Sequence, residues 1–197
     1  MQPREVVNTL RDGVAFRCDP AKTEWGEDFA GAYDWIARQM DTILGPGPDD
    51  TRWPVWAWAR MSGRNGPMPR LSWHMVPADS RLGGRVSWPR RDARELRWLA
   101  LDVDPARVLL SDFDLWHSVL NDTYCVPRAQ WDDDAVWEKV WTPAEIEDSW
   151  QRAFDVSGNC PDVQACLWEV RPVDVTATYR WWSPRVIRCG QQTPGES

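Results

Sequence analysis

The chain has 197 residues, 43% of them hydrophobic and 27% charged, a composition typical of one globular domain and not of a disordered or fibrous protein. Its net charge of −7 argues against long nucleic acid as a partner, because a polyanion is repelled unless a basic face is well segregated. No apolar run reaches the roughly 18–20 residues that span a bilayer, and the first residues lack the apolar core of a signal peptide. We therefore expect a cytoplasmic protein without membrane contact, with one domain over residues 1–188 and a flexible tail over residues 189–197.

The cysteines and histidines give no sign of a stapled or zinc-bound fold. The five cysteines form no C-x-x-C pair, and their odd number fits no closed disulfide framework. With only two histidines, none of the common zinc patterns is expected. We predict reduced thiols, some of them packed in the core.

The N-terminal quarter predicts two helices. Apolar residues at helical spacing indicate a helix over residues 4–12, followed by Gly13 at the position where a C-terminal glycine belongs. A short strand is expected at Val14–Arg17. A second apolar stripe predicts a helix over residues 28–44, which Gly45-Pro46 would end.

An aromatic strand is predicted at Trp53–Arg60. Alternation places Trp56 and Trp58 on one face of this strand. The sixteen tryptophans of the chain exceed the needs of a core of this size, so some of them should line a groove or an interface.

Arginine is concentrated in one stretch of the sequence. Residues 52–97 contain ten arginines and three acids, and within them residues 61–95 predict a long loop without sustained periodicity. One interpretation is a solvated basic loop that the acidic residues 98–163 offset. The other is a site in which arginine forks bind phosphate and tryptophan faces stack on a base, a combination that suits a nucleotide.

The second half of the chain mixes strands and helices without a regular βαβ rhythm. The acidic residues 131–141 predict no definite element. Strands are predicted over Arg97–Asp104, Val108–Leu110, Val163–Val170 and residues 174–182, a helix over residues 113–121 capped by Ser111 or Asp112, and a helix from the Thr142 capping box to Phe154. We therefore predict an α+β fold with mixed, mostly antiparallel sheets and three or four helices.

Four segments of the chain together resemble one bacterial family. They are Ala32–Met40 (AYDWIARQM), Trp53–Trp58 (WPVWAW), Val108–Asn121 (VLLSDFDLWHSVLN) and Val163–Val170 (VQACLWEV). The family is known as domain of unknown function 3841, and the resemblance covers most of residues 1–180. It implies kinship and carries over no activity.

The helix after Asp112 holds the first candidate for acid–base chemistry. Asp114, His117 and Asn121 fall at i, i+3 and i+7, so they share a face, while Trp116 faces the core. Asp114 would orient His117 as a general base, and Asp112, Trp116 and Asn121 would contact the ligand. The alternative is an exposed Asp–His helix pair with Asp112 as the N-cap.

Glu169 is the second candidate, because a carboxylate in an apolar strand is costly to bury without a partner. Sharing a face with Leu167, it would either pair with an arginine or act in a cleft. Alternatively, it is an edge-strand or surface glutamate. The aspartates of residues 102–114 suit a divalent cation in principle, but a turn and a helix cap explain half of them, so no metal site is predicted.

The leading functional hypothesis is a nucleotide-handling enzyme. An early helix and glycine, an aromatic strand and a late Gln-Ala-x-x-x-Glu strand resemble the order found in compact NAD-dependent ADP-ribosyltransferases. That resemblance implies NAD as cofactor. Trp56 or Trp58 would stack on nicotinamide, Arg60 would meet the pyrophosphate and Glu169 would hold the ribose hydroxyl during glycosyl transfer.

The alternative hypothesis is a non-catalytic module. In it, tryptophans and arginines line a binding site for a nucleotide, a modified base or a protein partner, and Glu169 and His117 are structural. The oligomeric state is left open by the sequence.

Overall fold

Two antiparallel sheets, with helices packed against them, form the described part of the chain. The computed structural model describes residues 2–22, 28–49, 51–61, 64–65, 96–157 and 160–180. The strands are β1 (Gln2–Pro3), β2 (Val55–Met61), β3 (Arg64–Asn65), β4 (Leu96–Leu101), β5 (Leu109–Asp112), β6 (Val163–Leu167) and β7 (Val175–Arg180). The α-helices are α1 (Arg4–Arg11), α2 (Ala30–Leu44), α3 (Phe113–Leu120), α4 (Asp134–Glu138) and α5 (Pro143–Ser149). The predicted α+β class with antiparallel sheets is confirmed.

The larger sheet has the strand order β3-β2-β6-β5, and the smaller one has the order β1-β4-β7. In the larger sheet, Cys166 of β6 lies opposite Trp56 of β2 on one side and opposite Leu109 of β5 on the other. All of these pairings are antiparallel. β6 is therefore an inner strand that pairs with a neighbouring strand on each side.

Apolar side chains cover both faces of the larger sheet. On one face, Cys166 packs in a cluster with residues of α2 and α3, including Ile36 and Val119. On the other face, Leu167 packs with residues of α1 and with partly buried residues that include Leu99, Leu101 and Val103. Leu99 and Leu101 alternate along β4, so they share a face of that strand.

Three predicted capping signals are found in the structure, but the helix predicted to reach Phe154 ends at Ser149 and continues as a 3-10 helix over Trp150–Phe154. α1 ends in a Schellman motif, because Gly13 adopts a φ of 85° and Val14 N donates to Thr9 O at 3.1 Å. Asp112 caps α3 by accepting from the backbone N–H groups of residues 114 and 115. Thr142 forms the predicted capping box with Glu145 at the start of α5.

The described cysteines are free thiols, as predicted. Cys125, Cys160 and Cys166 are buried, and Cys18 is half-buried. Burial raises the pKa of Cys125 and that of Cys160 to about 11 each, and it raises the pKa of Cys166 as well. These three thiols are therefore protonated at neutral pH.

Several element predictions need correction. The strand expected at Val14–Arg17 is a single bridge between Phe16 and Val170. β6 ends at Leu167, three residues earlier than predicted, because the chain bends at Trp168, whose Nε1 donates to the Gly45 carbonyl. Five α-helices are described where three or four were expected, since α4 lies in the acidic stretch that predicts no element.

Other predictions fall on residues outside the described ranges. They are the tail over residues 189–197 and most of the arginine-rich stretch 61–95. Among the described helices, none is long and apolar enough to cross a membrane.

We predict that Gly47→Ala destabilises the fold. A Cβ at Gly47 would lie 3.0 Å from Cδ2 of the Trp168 ring and 3.1 Å from the Thr51 carbonyl oxygen, so a buried ring would have to move. Overpacking of this kind costs about 1–3 kcal/mol of unfolding free energy. Urea denaturation followed by circular dichroism measures the change.

The matched control for that variant is Gly31→Ala. A Cβ at Gly31 meets no atom within 4 Å, and the residue lies in α2. Alanine is favoured over glycine in a helix, so this variant should gain about 0.5–1 kcal/mol. Equal effects of the two substitutions would contradict the close approach of Trp168 to Gly47.

Candidate functional site

One face of the larger sheet gathers aromatic and polar side chains at its Val163 end. Trp58 of β2 and Ser111 of β5 both lie opposite Gln164 of β6. Cross-strand partners point to the same side of a sheet, so these three side chains are neighbours, with Trp56 two positions along β2 on the same face. The shared face predicted for Trp56 and Trp58 is confirmed.

The inner part of this face is packed core. The Trp56 ring lies 4.8 Å from the Trp116 ring, and Tyr33 of α2 meets both of them edge-on. Trp116 is only 3% exposed. It is therefore placed to support Trp56, and a ligand on the protein surface would not touch it.

The outer part of the same face is open to solvent. Trp58 is 36% exposed, and its ring lies 4.9 Å from Phe113, the first residue of α3. Phe113 in turn meets the exposed His117 ring edge-on at 4.3 Å. We call Trp58, Phe113 and His117 the aromatic row.

Two polar atoms beside the aromatic row have no hydrogen-bond partner among the described residues. They are Trp56 Nε1, a donor, and Gln164 Oε1, an acceptor, and both are buried. Trp56 lies opposite Cys166, two residues from Gln164, which makes Trp56 and Gln164 diagonal neighbours with Cα atoms roughly 7–8 Å apart. A buried polar group without a partner costs about 1–3 kcal/mol, so the pair needs a physical explanation.

The acid–base pair predicted on α3 has a different arrangement in the structure. Asp114 Oδ2 accepts from Nη2 of Arg128 at 2.7 Å, while His117 Nδ1 lies 2.8 Å from the carbonyl oxygen of Phe113. Asn121 Nδ2 donates to the His117 backbone carbonyl at 2.6 Å. Asp114 thus pairs with Arg128. The imidazole of His117 is oriented by the backbone carbonyl of Phe113 and not by Asp114.

Asp112 also belongs to the Arg128 pair. Arg128 donates to Asp112 from Nε at 2.9 Å and from Nη2 at 2.8 Å, and its guanidinium lies 4.5 Å from the Trp131 ring centroid. Burial alone would lower the pKa of Arg128, but the hydrogen bonds to Asp114 and Asp112 raise it. Asp112, predicted as a ligand contact, therefore joins the start of α3 to the loop after it.

Glu169 is paired with two arginines. Arg17 Nε donates to its Oε2 at 3.0 Å, and Arg171 Nε donates to its Oε1 at 2.7 Å. We call these three residues the Glu169 clamp. Burial alone would raise the pKa of Glu169, which is 8% exposed, but the hydrogen bonds from Arg171 and Arg17 lower it below its ordinary value. Of the predicted possibilities, the arginine partner is the one found.

A second ion pair continues the clamp towards the smaller sheet. Arg107 binds Asp174 with Nη1 at 2.8 Å and Nη2 at 3.1 Å, and Nη2 also reaches the Glu169 carbonyl at 3.3 Å. Burial would raise the pKa of Asp174, but bonds from Arg107 and from the Arg171 backbone lower it. These charged residues lie in the segment between β6 and β7. The backbone of Asp174 is tied to the end of β4, because its carbonyl accepts a hydrogen bond from Asp102 N.

The predicted site residues thus separate into two places. Trp58, His117 and Arg60, whose Nη1 donates to the Cys160 carbonyl at 2.9 Å, lie near the Val163 end of β6. Glu169 lies beyond Leu167, at the opposite end, more than about 10 Å along the strand at roughly 3.3 Å per residue. The structure does not bring Glu169 together with the aromatic row.

Sequence reasoning did not single out Gln164 or Phe113 as site residues. Gln164 had a usable signal, because it is the polar residue in the strand VQACL. Phe113 had none, since the first residue of a helix reveals its neighbours only after folding. In the described ranges, no group of three or more His, Cys, Asp or Glu side chains is arranged to hold a metal ion.

A comparison with protein families identifies the family of the chain. The model described as domain of unknown function 3841 matches residues 18–142. The chain belongs to this family. The matched range contains the aromatic row and ends before β6, so Gln164 and Glu169 lie outside it. No curated protein and no solved structure matches the chain.

We predict that Glu169→Gln lowers the unfolding free energy by about 1–3 kcal/mol, because two arginines lose their anionic partner. The loss is moderated since Arg17 and Arg171 are partly exposed. At pH values above 4.5, the ordinary pKa of a glutamate, ionised Glu169 contributes fully, and the contribution disappears as the pH falls through the lowered pKa. The variant should therefore lose less stability than the wild type on acidification.

Urea denaturation at pH 7 and at pH 3 measures both effects. Glu147→Gln is the control, because Glu147 is exposed and its change should stay within about 0.5 kcal/mol. A Glu169→Gln protein as stable as the control at pH 7 would show that the clamp contributes nothing.

Proposed function

We propose that this chain is a binding module for a small planar ligand of nucleotide type, which stacks on the aromatic row. The observation that carries the proposal is the exposed side of Trp58, next to Phe113 and His117, at the end of a sheet whose other aromatic residues are packed. Stacking of a base on an aromatic side chain contributes about 1–3 kcal/mol and accepts any flat heterocycle.

The surroundings of the aromatic row suit such a ligand. Phe113 contacts the Trp58 ring from one side and leaves the rest of the ring accessible to a ligand. Arg128 forms ion pairs with the carboxylates of Asp112 and Asp114 and so offsets part of their negative charge.

The contacts of Glu169 favour a binding module over an NAD-dependent transferase. In glycosyl transfer, Glu169 would have to hold a ribose hydroxyl beside the stacked ring. Its oxygens instead accept hydrogen bonds from Arg17 and Arg171 at the far end of β6. NAD still belongs among the ligands to be tested, because its nicotinamide and adenine rings both offer a face to Trp58.

Trp58→Ala should weaken binding of the nucleotide that the wild-type chain prefers by about 5- to 100-fold, the equivalent of one lost stacking contact. Isothermal titration calorimetry with AMP, GMP, nicotinamide mononucleotide and NAD identifies that nucleotide first. Calorimetry is used because the substitution removes one of the fluorophores.

Leu110→Ala is the matched control for this variant. Leu110 is as exposed as Trp58, at 37%, and lies on the neighbouring part of the sheet. It pairs with Ala165, so it points to the opposite face, and its substitution should leave the Kd unchanged. Equal weakening by both variants, or no binding by the wild-type chain, would contradict the proposal. If the wild-type chain releases nicotinamide from NAD and Glu169→Gln does not, the transferase hypothesis is supported and the binding module is rejected.

A further inference from the structure

The buried polar pair next to the aromatic row gives the ligand a hydrogen-bonding edge. We infer that Trp56 Nε1 and Gln164 Oε1 recognise a ligand edge that carries an acceptor and a donor side by side. This inference rests on the proposed function, since it concerns the same site. It names the ligand class as a heterocycle with an amino or carboxamide group, such as adenine or nicotinamide.

The chemistry of the two atoms defines this edge. The indole Nε1–H can only donate, so its partner on the ligand must be a ring nitrogen or a carbonyl oxygen. The Gln164 Oε1 can only accept, so its partner must be an N–H. Adenine offers a ring nitrogen beside its amino group, and a carboxamide offers its oxygen beside its own N–H₂.

The position of the pair connects it to the stacking surface. Gln164 lies opposite Trp58, and Trp56 precedes Trp58 by two residues on the same face, so the three side chains are neighbours there. Ser111, the other neighbour of Gln164, is fully buried and lies 4.0 Å from the Cys166 sulfur. On the inner side, Trp56 packs against Trp116 and Tyr33, whereas Trp58 is the exposed residue of this face, so the missing partner would enter from the side of Trp58.

Ligand access requires Trp58 to turn away from Phe113. Both side chains are only partly buried, and one tilted ring contact holds them together in this part of the chain. A ligand that enters there replaces this ring contact by its own stacking on Trp58 and supplies both missing hydrogen bonds. A ligand with this edge gains affinity from hydrogen bonds to the two buried polar atoms, and a ligand without the edge does not.

Ligand pairs that differ by one group test the inference. Adenosine is compared with purine riboside, which lacks the amino group, and nicotinamide with 3-acetylpyridine, which keeps the carbonyl and lacks the N–H₂. For at least one pair, wild-type protein should bind the complete edge about 10-fold more tightly, the usual effect of one well-placed hydrogen bond. Gln164→Met should abolish this preference, because methionine keeps the length of the side chain and removes the acceptor.

The melting temperature of Gln164→Met shows whether a loss of ligand preference comes from the missing acceptor or from a packing defect. Removing a buried acceptor without a partner should leave the melting temperature unchanged or raise it, whereas a packing defect would lower it. Trp56→Phe is the second variant, because it keeps an aromatic ring at this position and removes the donor. It should weaken binding of both members of each pair by a similar factor, since both retain the acceptor.

The results distinguish this inference from the proposed function. If Trp58→Ala abolishes binding but wild-type protein binds both members of each pair equally, stacking stands and the recognised edge is refuted. If Gln164→Met keeps the preference of the wild type, the acceptor is elsewhere and the inference is also refuted. Absence of binding by any ligand refutes both.

Discussion

The pairing of β6 with β2 on one side and β5 on the other is the constraint on which the rest of this structure depends. A strand with neighbours on both sides and apolar layers on both faces exposes almost none of its backbone, so its register fixes every residue around it. Cys166 faces the cluster that contains α2 and α3, and Leu167 faces α1 and the smaller sheet. A slip of one residue would exchange the faces of these two side chains and move polar Gln164 to the opposite face.

The two ends of β6 have different physical character. Where the strand ends, Glu169 is held by Arg17 and Arg171 from separate parts of the chain, and Arg107 with Asp174 extends the network to the smaller sheet. Charges at this end are paired, and their contribution is to stability. Where the strand begins, Gln164 and Trp56 leave polar atoms without partners beside an exposed tryptophan. Unsatisfied groups of this kind are tolerated where a site needs them.

Features that depend on neighbours in sequence could be predicted, and features that depend on distant partners could not. The glycine after α1, the Asp112 cap and the Thr142 capping box each act over a few residues, and each was predicted from the sequence. An arginine partner was one of the possibilities left open for Glu169, yet Arg17 lies 152 residues away and nothing local points to it. Helical spacing placed Asp114 and His117 on one face, but spacing contains no information about Arg128, which approaches Asp114 from the following loop. Alternation extended β6 to Val170, whereas the chain bends at Trp168, whose Nε1 donates to the distant Gly45 carbonyl.

Binding at the aromatic row and the polar pair beside it can be followed through the indole N–H signals in a ¹⁵N–¹H correlation spectrum during titration with the preferred nucleotide. Trp56→Phe and Trp58→Ala assign two of the sixteen tryptophan signals by their disappearance. Both signals should move in proportion to ligand occupancy, and the Trp56 N–H should move downfield as it acquires an acceptor. The signal of Trp35, which is buried on α2, should stay in place. Saturation of binding with both the Trp56 and Trp58 signals unmoved would contradict the account.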